Sequence, residues 1–301
     1  MPLTPEQQAE IDSQRATPRQ TLRAVSEGME NHLYVAHPVL DHGLVRVIDY
    51  MGDDAAICQA ARVSYGKGTK SVQNDEGLIR YLMRHWHSTP FEMCEVKFHV
   101  KLPVFVARQW IRHRTANVNE YSGRYSILDR EFYIPAPEHL AAQSSQNHQG
   151  RGEVLQGAEA QRVLDLLRED AMRSYDSYEA MLSQEGQQGL ARELARMNLP
   201  ANIYTQWYWK VDLHNLLHFL RLRADSHAQY EIQAYADIMC DITRDWVPAA
   251  FGAFQDYRMN AVNLSAQAAD ALRRRLAGEV VTQENAGMGA REWREFQAVW
   301  G

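Results

Sequence analysis

Cysteine is scarce in this chain. Cys58, Cys94 and Cys240 are odd in number, widely spaced and set among apolar residues. That excludes a disulfide framework and a zinc cluster as the organising principle, and it predicts buried free thiols. Long apolar runs are missing too, since no window has the uninterrupted length of a membrane span. The first thirty residues are polar and lack the apolar core of a signal peptide, so a cytoplasmic chain with no membrane partner is expected. Basic charge is not in excess. A net charge of −6 argues against a general nucleic-acid binder, but it is compatible with a small anionic ligand held in a local basic pocket. There is no internal repeat and no Gly-x-Gly-x-x-Gly, so a Rossmann dinucleotide fold is not expected. Gly66-Lys67-Gly68-Thr69-Lys70-Ser71 reads as a loop without the Walker spacing.

What is present is the composition of an ordinary globular protein, 301 residues with 45% hydrophobic and 23% charged, long enough for one large domain or two small ones. Three segments are expected: a polar arm over 1–36, a catalytic domain over 37–254 and an Ala/Gln-rich, charged extension over 255–301. Residues 44–51 read as a strand, and Asp53 or Asp54 as the cap of a helix from Ala55 to about Val63. Apolar spacing predicts a helix over 75–85. Val96, Phe98, Val100 and Leu102 alternate with Lys97, His99 and Lys101, a strand with one buried face. Pro103 stops it and opens a helix that turns Val104, Phe105, Ala107, Trp110 and Ile111 inward. Residues 141–158 read as a polar surface loop. A long amphipathic helix runs from about Val163 to Leu182, closed by Gly186, and a short one covers 190–197. The strand at 203–211 is aromatic on both faces, which predicts that both are covered. Asp212 caps a helix to about Leu222, a second helix spans about 227–246, and one more lies near 264–276.

The most telling stretch is Arg112-His113-Arg114-Thr115-Ala116-Asn117-Val118-Asn119-Glu120-Tyr121-Ser122-Gly123-Arg124-Tyr125-Ser126. Almost nothing in it can fill a core, so it is either a solvated loop or the lining of a site for an anion with polar edges. Guanidinium forks bind phosphate bidentately, and such charge-assisted bonds contribute about 1.5–3 kcal/mol each. Gly123 lets a phosphate approach the backbone. The stretch starts at a helix end and continues as a loop, where sites tend to lie.

Three further clusters carry polar chemistry. The first is His85-Trp86-His87-Ser88-Thr89-Pro90-Phe91-Glu92. In Asp212-Leu213-His214-Asn215-Leu216-Leu217-His218, His214 and His218 stand four apart on one helix face, the ligand spacing of a zinc site, and a metal-dependent hydrolase is the rival reading. Asn215 stands where such a hydrolase needs its glutamate base, which counts against a metal. In the run from Leu220 to Gln229, Arg223 either faces a ligand or pairs with Asp225 in the core. A regulatory nucleotide-binding protein without turnover is the third class.

Arg112-His113-Arg114, seven residues, then Ser122 resembles the signature of the flavin-dependent thymidylate synthases. His87, Thr89, Pro90, Phe91 and Glu92 match a second segment of that family. Leu222-Arg223-Ala224-Asp225 with Ala228-Gln229 matches a third, and Arg196, in Leu194-Ala195-Arg196-Met197-Asn198-Leu199-Pro200, matches a further family arginine. The match runs from about His37 to about Phe254. The resemblance implies a mixed α/β fold, with a mainly antiparallel sheet and long helices, in a homotetramer with sites between subunits. It implies reductive methylation of dUMP to dTMP, with methylenetetrahydrofolate giving the carbon and NADPH reducing bound FAD. It assigns dUMP to Gln109, Trp110, Ile111, Arg112, Glu120, Tyr121, Ser122, Gly123, Arg124, Arg196 and Arg223, with Arg223 catalytic. FAD falls to Thr89, Arg112, His113, Arg114, Glu120, Asp212, Leu213, His214 and His218, and the folate side to His87. No metal is implied.

Overall fold

The structure is a computed structural model that describes residues 4–64, 75–144, 150–182 and 188–301. The loop expected at 66–71 and the stop expected at Gly186 lie outside these residues. Contacts divide the chain into two compact units, Met1–Met259 and Asn260–Gly301.

The first unit is organised by five antiparallel strands in the order β1 (Ala36–Val39), β2 (Gly43–Met51), β3 (Glu95–Pro103), β7 (Tyr204–Asp212) and β4 (Asn117–Glu120). Helices α1 (Pro5–Arg15) and α2 (Glu27–His32) precede the sheet, and α3 (Asp54–Val63), α4 (Glu76–Arg84) and α5 (Thr89–Glu92) lie between β2 and β3. Helix α6 (Val104–Trp110) follows β3 directly. A small hairpin, β5 (Ala141–Gln143) with β6 (Arg151–Val154), leads to α7 (Gly157–Met181) and the short α8 (Arg192–Ala195). After β7 come α9 (Leu213–Arg223), α10 (Tyr230–Trp246), α11 (Pro248–Phe254) and a π-turn at Gln255–Met259.

The period-two pattern explains the sheet. Val96, Phe98, Val100 and Leu102 point to one face, and the register sets them opposite Val211, Trp209, Trp207 and Thr205 of β7. All eight are buried. Trp110 closes this layer, with its ring centroid 4.6 Å from that of Phe219, 5.3 Å from Trp209 and 5.8 Å from Trp207. Fully burying one such aromatic is worth about 3 kcal/mol. The other face of the sheet is polar. His99 meets Gln206 at 2.8 Å and Arg46 at 3.1 Å, while Lys101 pairs with Glu131.

Most expected elements form close to their expected bounds, although the long helix expected from about Val163 begins at Gly157. Five expectations need correction. The outer face of β7 is covered only in part: Tyr204 is 3% exposed, whereas Tyr208 remains 44% exposed. Of the residues expected to turn inward on α6, Val104 and Phe105 are only half-buried, and Ile111, just past its end, is exposed; Val106 is buried in their place. A seven-residue helix cannot bury five consecutive-turn positions on one side. Residues 141–143 and 151–154 form a hairpin, not a loop. Its anchor is Glu231 of α10, 3% exposed, which takes both oxygens to Arg151 and accepts from Tyr133 Oη at 3.0 Å and Gln229 Nε2 at 2.8 Å. No local pattern encodes that partner, which lies 80 residues on. The short helix at 190–197 is a single α-turn followed by a 3₁₀ turn. The second unit holds three helices where one was expected: α12 (Ala266–Leu276), α13 (Gln283–Ala286) and α14 (Ala290–Trp300). They bury Ala268, Ala271, Val281, Ala286, Met288 and Phe296 among themselves.

Candidate active site

The site begins where α6 ends. His113 N donates to the Trp110 carbonyl at 2.9 Å, which turns the chain off the helix and sets Arg112 and Arg114 outward. Asp212 caps α9 by accepting from Asn215 N at 2.9 Å and Asn215 Nδ2 at 2.7 Å. Helix α9 then presents His214, His218 and Arg223 opposite that turn. Together with Thr115, Asn215, Phe219 and Leu222 they line a cleft of about 390 Å³.

The cleft is cationic, and no carboxylate is among the residues that line it, although the Asp212 charge acts on His113 from nearby. Among the described residues, Arg112, Arg114 and Arg223 have no carboxylate partner. The rival partner for Arg223 is engaged elsewhere: Asp225 accepts from His227 N at 2.8 Å and faces His227 Nδ1 at 2.9 Å. Nε of Arg223 is buried without a hydrogen-bond partner. Burial and then the nearby Arg112 hold the Arg223 pKa below its ordinary value. A buried donor left unpaired costs about 1–3 kcal/mol, and an acceptor ligand would recover it. His113 is pushed down to about 4, first by burial and then by His218 and Arg223, so it stands as neutral imidazole at pH 7. Its Nε2 lies 3.2 Å from Thr115 Oγ1.

A second group of expected residues gathers beyond β4. Ser122 makes a turn, its carbonyl accepting from Tyr125 N at 3.1 Å and Ser126 N at 3.2 Å, and its Oγ from Arg124 N at 3.3 Å. Arg196 lies against Gly123: a Cβ there would meet Arg196 Cδ and Nη1 at 3.3 Å. A side chain at Gly123 would make that contact tight, and Arg196 would have to give by a few tenths of an ångström. Arg124 Nε donates to Glu193 at 2.9 Å, and Thr205 Oγ1 donates to Glu120 at 2.9 Å. Tyr121 Oη donates to the Ile127 carbonyl at 3.0 Å. Oε1 of Gln109 is buried without a partner, a second orphaned polar atom at the signature.

Two of the expected ligand contacts are open to the main chain alone. Trp110 and Leu213 are both fully buried in the core, so their side chains face other apolar residues and only their main chain can reach a ligand. Ile111 is 40% exposed. Asp212 has both oxygens committed to Asn215, so it shapes the start of α9 first. Thr89 opens α5 and is exposed, while His87 lines a smaller cavity that shares His214 and His218 with the cleft. Among the described residues no third His, Cys, Asp or Glu joins those two histidines in a group that could hold a metal, so the hydrolase reading gains no support. Burial pushes the thiols of Cys94 and Cys240 up to about 12, and that of Cys58 upward. None of the three is a ready nucleophile at neutral pH.

Sequence reasoning missed Thr115, Phe219 and Leu222 as lining residues. Phe219 and Leu222 carry no chemistry that a motif would single out and reach the cleft only because α9 packs against the turn after α6, whereas Thr115 lies in the signature itself.

This arrangement defines a cationic cleft suited to an anionic ligand with polar edges, on an antiparallel α/β fold. Residues 46–249 match the family model described as thymidylate synthase complementing protein. The chain is 79% identical over 301 residues to a flavin-dependent thymidylate synthase of Ruegeria pomeroyi, covering all of both chains. It is 64% identical to that of Gluconobacter oxydans, over 99% of this chain and 98% of the other. Among solved structures, a UMP/dUMP methylase, PolB, from Streptomyces cacaoi, bound with 5-Br dUMP, superposes with a TM-score of 0.66 at 29% identity, over 73% of this chain and 97% of that one. The chain belongs to the family of flavin-dependent thymidylate synthases.

Proposed function

We propose that the chain carries out reductive methylation of dUMP to dTMP in the cytoplasm, with methylenetetrahydrofolate as carbon donor, FAD as the flavin and NADPH as its reductant. The observation that carries this reading is Arg223, whose buried Nε is unpartnered beside Arg112 in a cleft lined by no carboxylate. Such a cleft suits a phosphate-bearing ligand with acceptor edges.

The residues fit the cofactor. Arg112, Arg114 and neutral His113 offer donors to a pyrophosphate, Thr89 and Glu120 add polar contacts, and His214 and His218 offer ring edges for the adenine half. FAD, when bound, supplies the hydride. Gln109, Arg112, Glu120, Ser122, Gly123, Arg124 and Arg196 hold dUMP. Arg223 places its planar fork against the N3 and carbonyl edge of the uracil, where it stabilises the negative charge that makes C5 nucleophilic. Ser122 binds and does not attack, since no His–carboxylate relay stands beside it. High thiol pKa values leave no thiolate for attack at C6.

The reading includes a homotetramer with sites at subunit interfaces. The cleft at Arg112 and the turn at Ser122 are separated along the chain by β4, about 13 Å of extended backbone. Tyr208, 44% exposed on the outer face of β7, is a surface for a neighbouring copy to cover. The test is the visible absorption spectrum of the purified protein before and after dUMP and reductant. Bound FAD whose reduced form is reoxidised only in the presence of dUMP and the folate is expected. A colourless protein that takes up no FAD in equilibrium dialysis refutes the reading.

A further inference from the structure

A second cavity adjoins the cleft, with His214 and His218 lining both. Its volume is about 60 Å³. That holds an anionic headgroup but not a fused ring, given that one water needs roughly 10–15 Å³ on this measure. Phe91 and Phe254, both buried, make it apolar, and two guanidiniums, Arg221 and Arg258, line it.

Neither arginine has a carboxylate partner among the described residues. Arg258 is nonetheless held firmly. Its Nη1 donates to the Tyr257 carbonyl at 3.0 Å and its Nη2 to the Met83 carbonyl, and its guanidinium carbon lies 3.4 Å from the centroid of the Trp86 ring. Both ends of this clamp are unusual backbone. Arg258 stands on the π-turn at 255–259, a device frequent at functional sites. Trp86 has φ = +62°, the left-handed region that a bulky aromatic rarely adopts, and it remains 64% exposed. The charge facing Arg258 is a like one: burial first and then Arg221 hold its pKa below the usual guanidinium value. Two cations that repel one another across a small apolar cavity, one of them firmly held, are poised for an anion.

We propose that this cavity is an anion subsite for a co-substrate, in which Arg221 and Arg258 receive a carboxylate or phosphate while the exposed Trp86 stacks on a planar ring of the same molecule. The proposal rests on the reading of the adjoining cleft as the FAD and dUMP site. A folate, through its glutamate carboxylates, and a nicotinamide dinucleotide, through its ribose phosphate, present the same chemistry. Trp86 lies in the motif region, but Arg258 lies outside the matched segment at 46–249, so family motifs give no hint of the pairing.

The experiment is calorimetric titration of the purified full-length protein with p-aminobenzoylglutamate and, separately, with adenosine 2′,5′-bisphosphate. It is run on the wild type, Arg221→Gln and Arg258→Gln. One probe should bind, with an affinity that falls as salt rises, and each substitution should weaken it by about tenfold or more, the loss of one charge-assisted contact. The probe that binds names the source of the anion. Binding of neither probe, or equal binding by wild type and both variants, overturns the proposal, as does displacement of the probe by added FAD. Arg258→Gln removes bonds to two carbonyls, and a folding defect would show as a lowered melting temperature. Arg221 makes no hydrogen bond or ion pair among the described residues, so in that case Arg221→Gln alone decides between the outcomes. FAD uptake and dUMP binding are measured on the same preparations. If they persist while the probes fail, the subsite alone falls. If FAD does not bind while a probe binds through both arginines, the flavin reading falls and the anion subsite stands.

Discussion

Replacing Arg223 by lysine separates a site residue from a scaffold residue. Lysine keeps the positive charge but loses the planar fork, so it cannot span two adjacent edge atoms of a pyrimidine. It also lacks Nε, the atom that is buried without a partner. Without ligands, the substitution therefore removes an unsatisfied donor, and no ion pair is lost because Asp225 is bound to His227. The melting temperature of the apoprotein should be unchanged or slightly higher, by about 2–4 °C for each kcal/mol recovered in a unit of this size. Catalysis should move the other way. A contact made mainly as charge develops on the ring lowers turnover more than it weakens dUMP binding. A loss of about 100-fold corresponds to about 2.7 kcal/mol of transition-state stabilisation. The assay pairs thermal unfolding with steady-state kinetics on one preparation of Arg223→Lys. Wild-type turnover with a lowered melting temperature would refute the reasoning and make Arg223 part of the scaffold.

Further outcomes follow from the same geometry. Alanine at Cys58, Cys94 or Cys240 should leave turnover per folded site within about twofold, since none is a thiolate at neutral pH; a folded but inactive Cys94→Ala would contradict this. His113 is held at about 4 against an ordinary 6.5, so the unfolded chain binds its proton first as pH falls. Its contribution to stability is full above pH 6.5 and declines towards pH 4, and melting curves of His113→Gln against pH should be flatter over that window; superimposable curves would sink the assignment. Glu231→Ala should cost about 3 kcal/mol in urea denaturation, because it strands Tyr133 and Arg151, whereas Tyr133→Phe should cost less than about 1.5 kcal/mol. Sedimentation equilibrium should give a tetramer at micromolar concentration, and a fully active monomer would rule out sites shared between subunits.

Much of the protein follows from the sequence alone. Alternation along β3 and β7 fixes which face of each strand is buried, because side chains alternate strictly across a pleat. Capping by Asp53, Asp75 and Asp212 is equally local, each carboxylate accepting from an amide three residues on. The chemistry of the signature is legible for the same reason, since three arginines and a hydroxyl within one short stretch cannot be buried without a ligand. Tertiary packing decided what depends on distant partners. Asp225 is two residues from Arg223, yet the turn after α9 gives it to His227. Trp110 lies two residues before the signature but is drawn into the core by Trp207, Trp209 and Phe219. Arg196 reaches Gly123 across more than seventy residues, a contact that a Cβ there would make tight. Arg258 stacks on Trp86 from a π-turn that no periodicity announces. Local rules set each element, its buried face and its ends; which charge is left without a partner is a sum over the whole packed chain, and only the fold evaluates it.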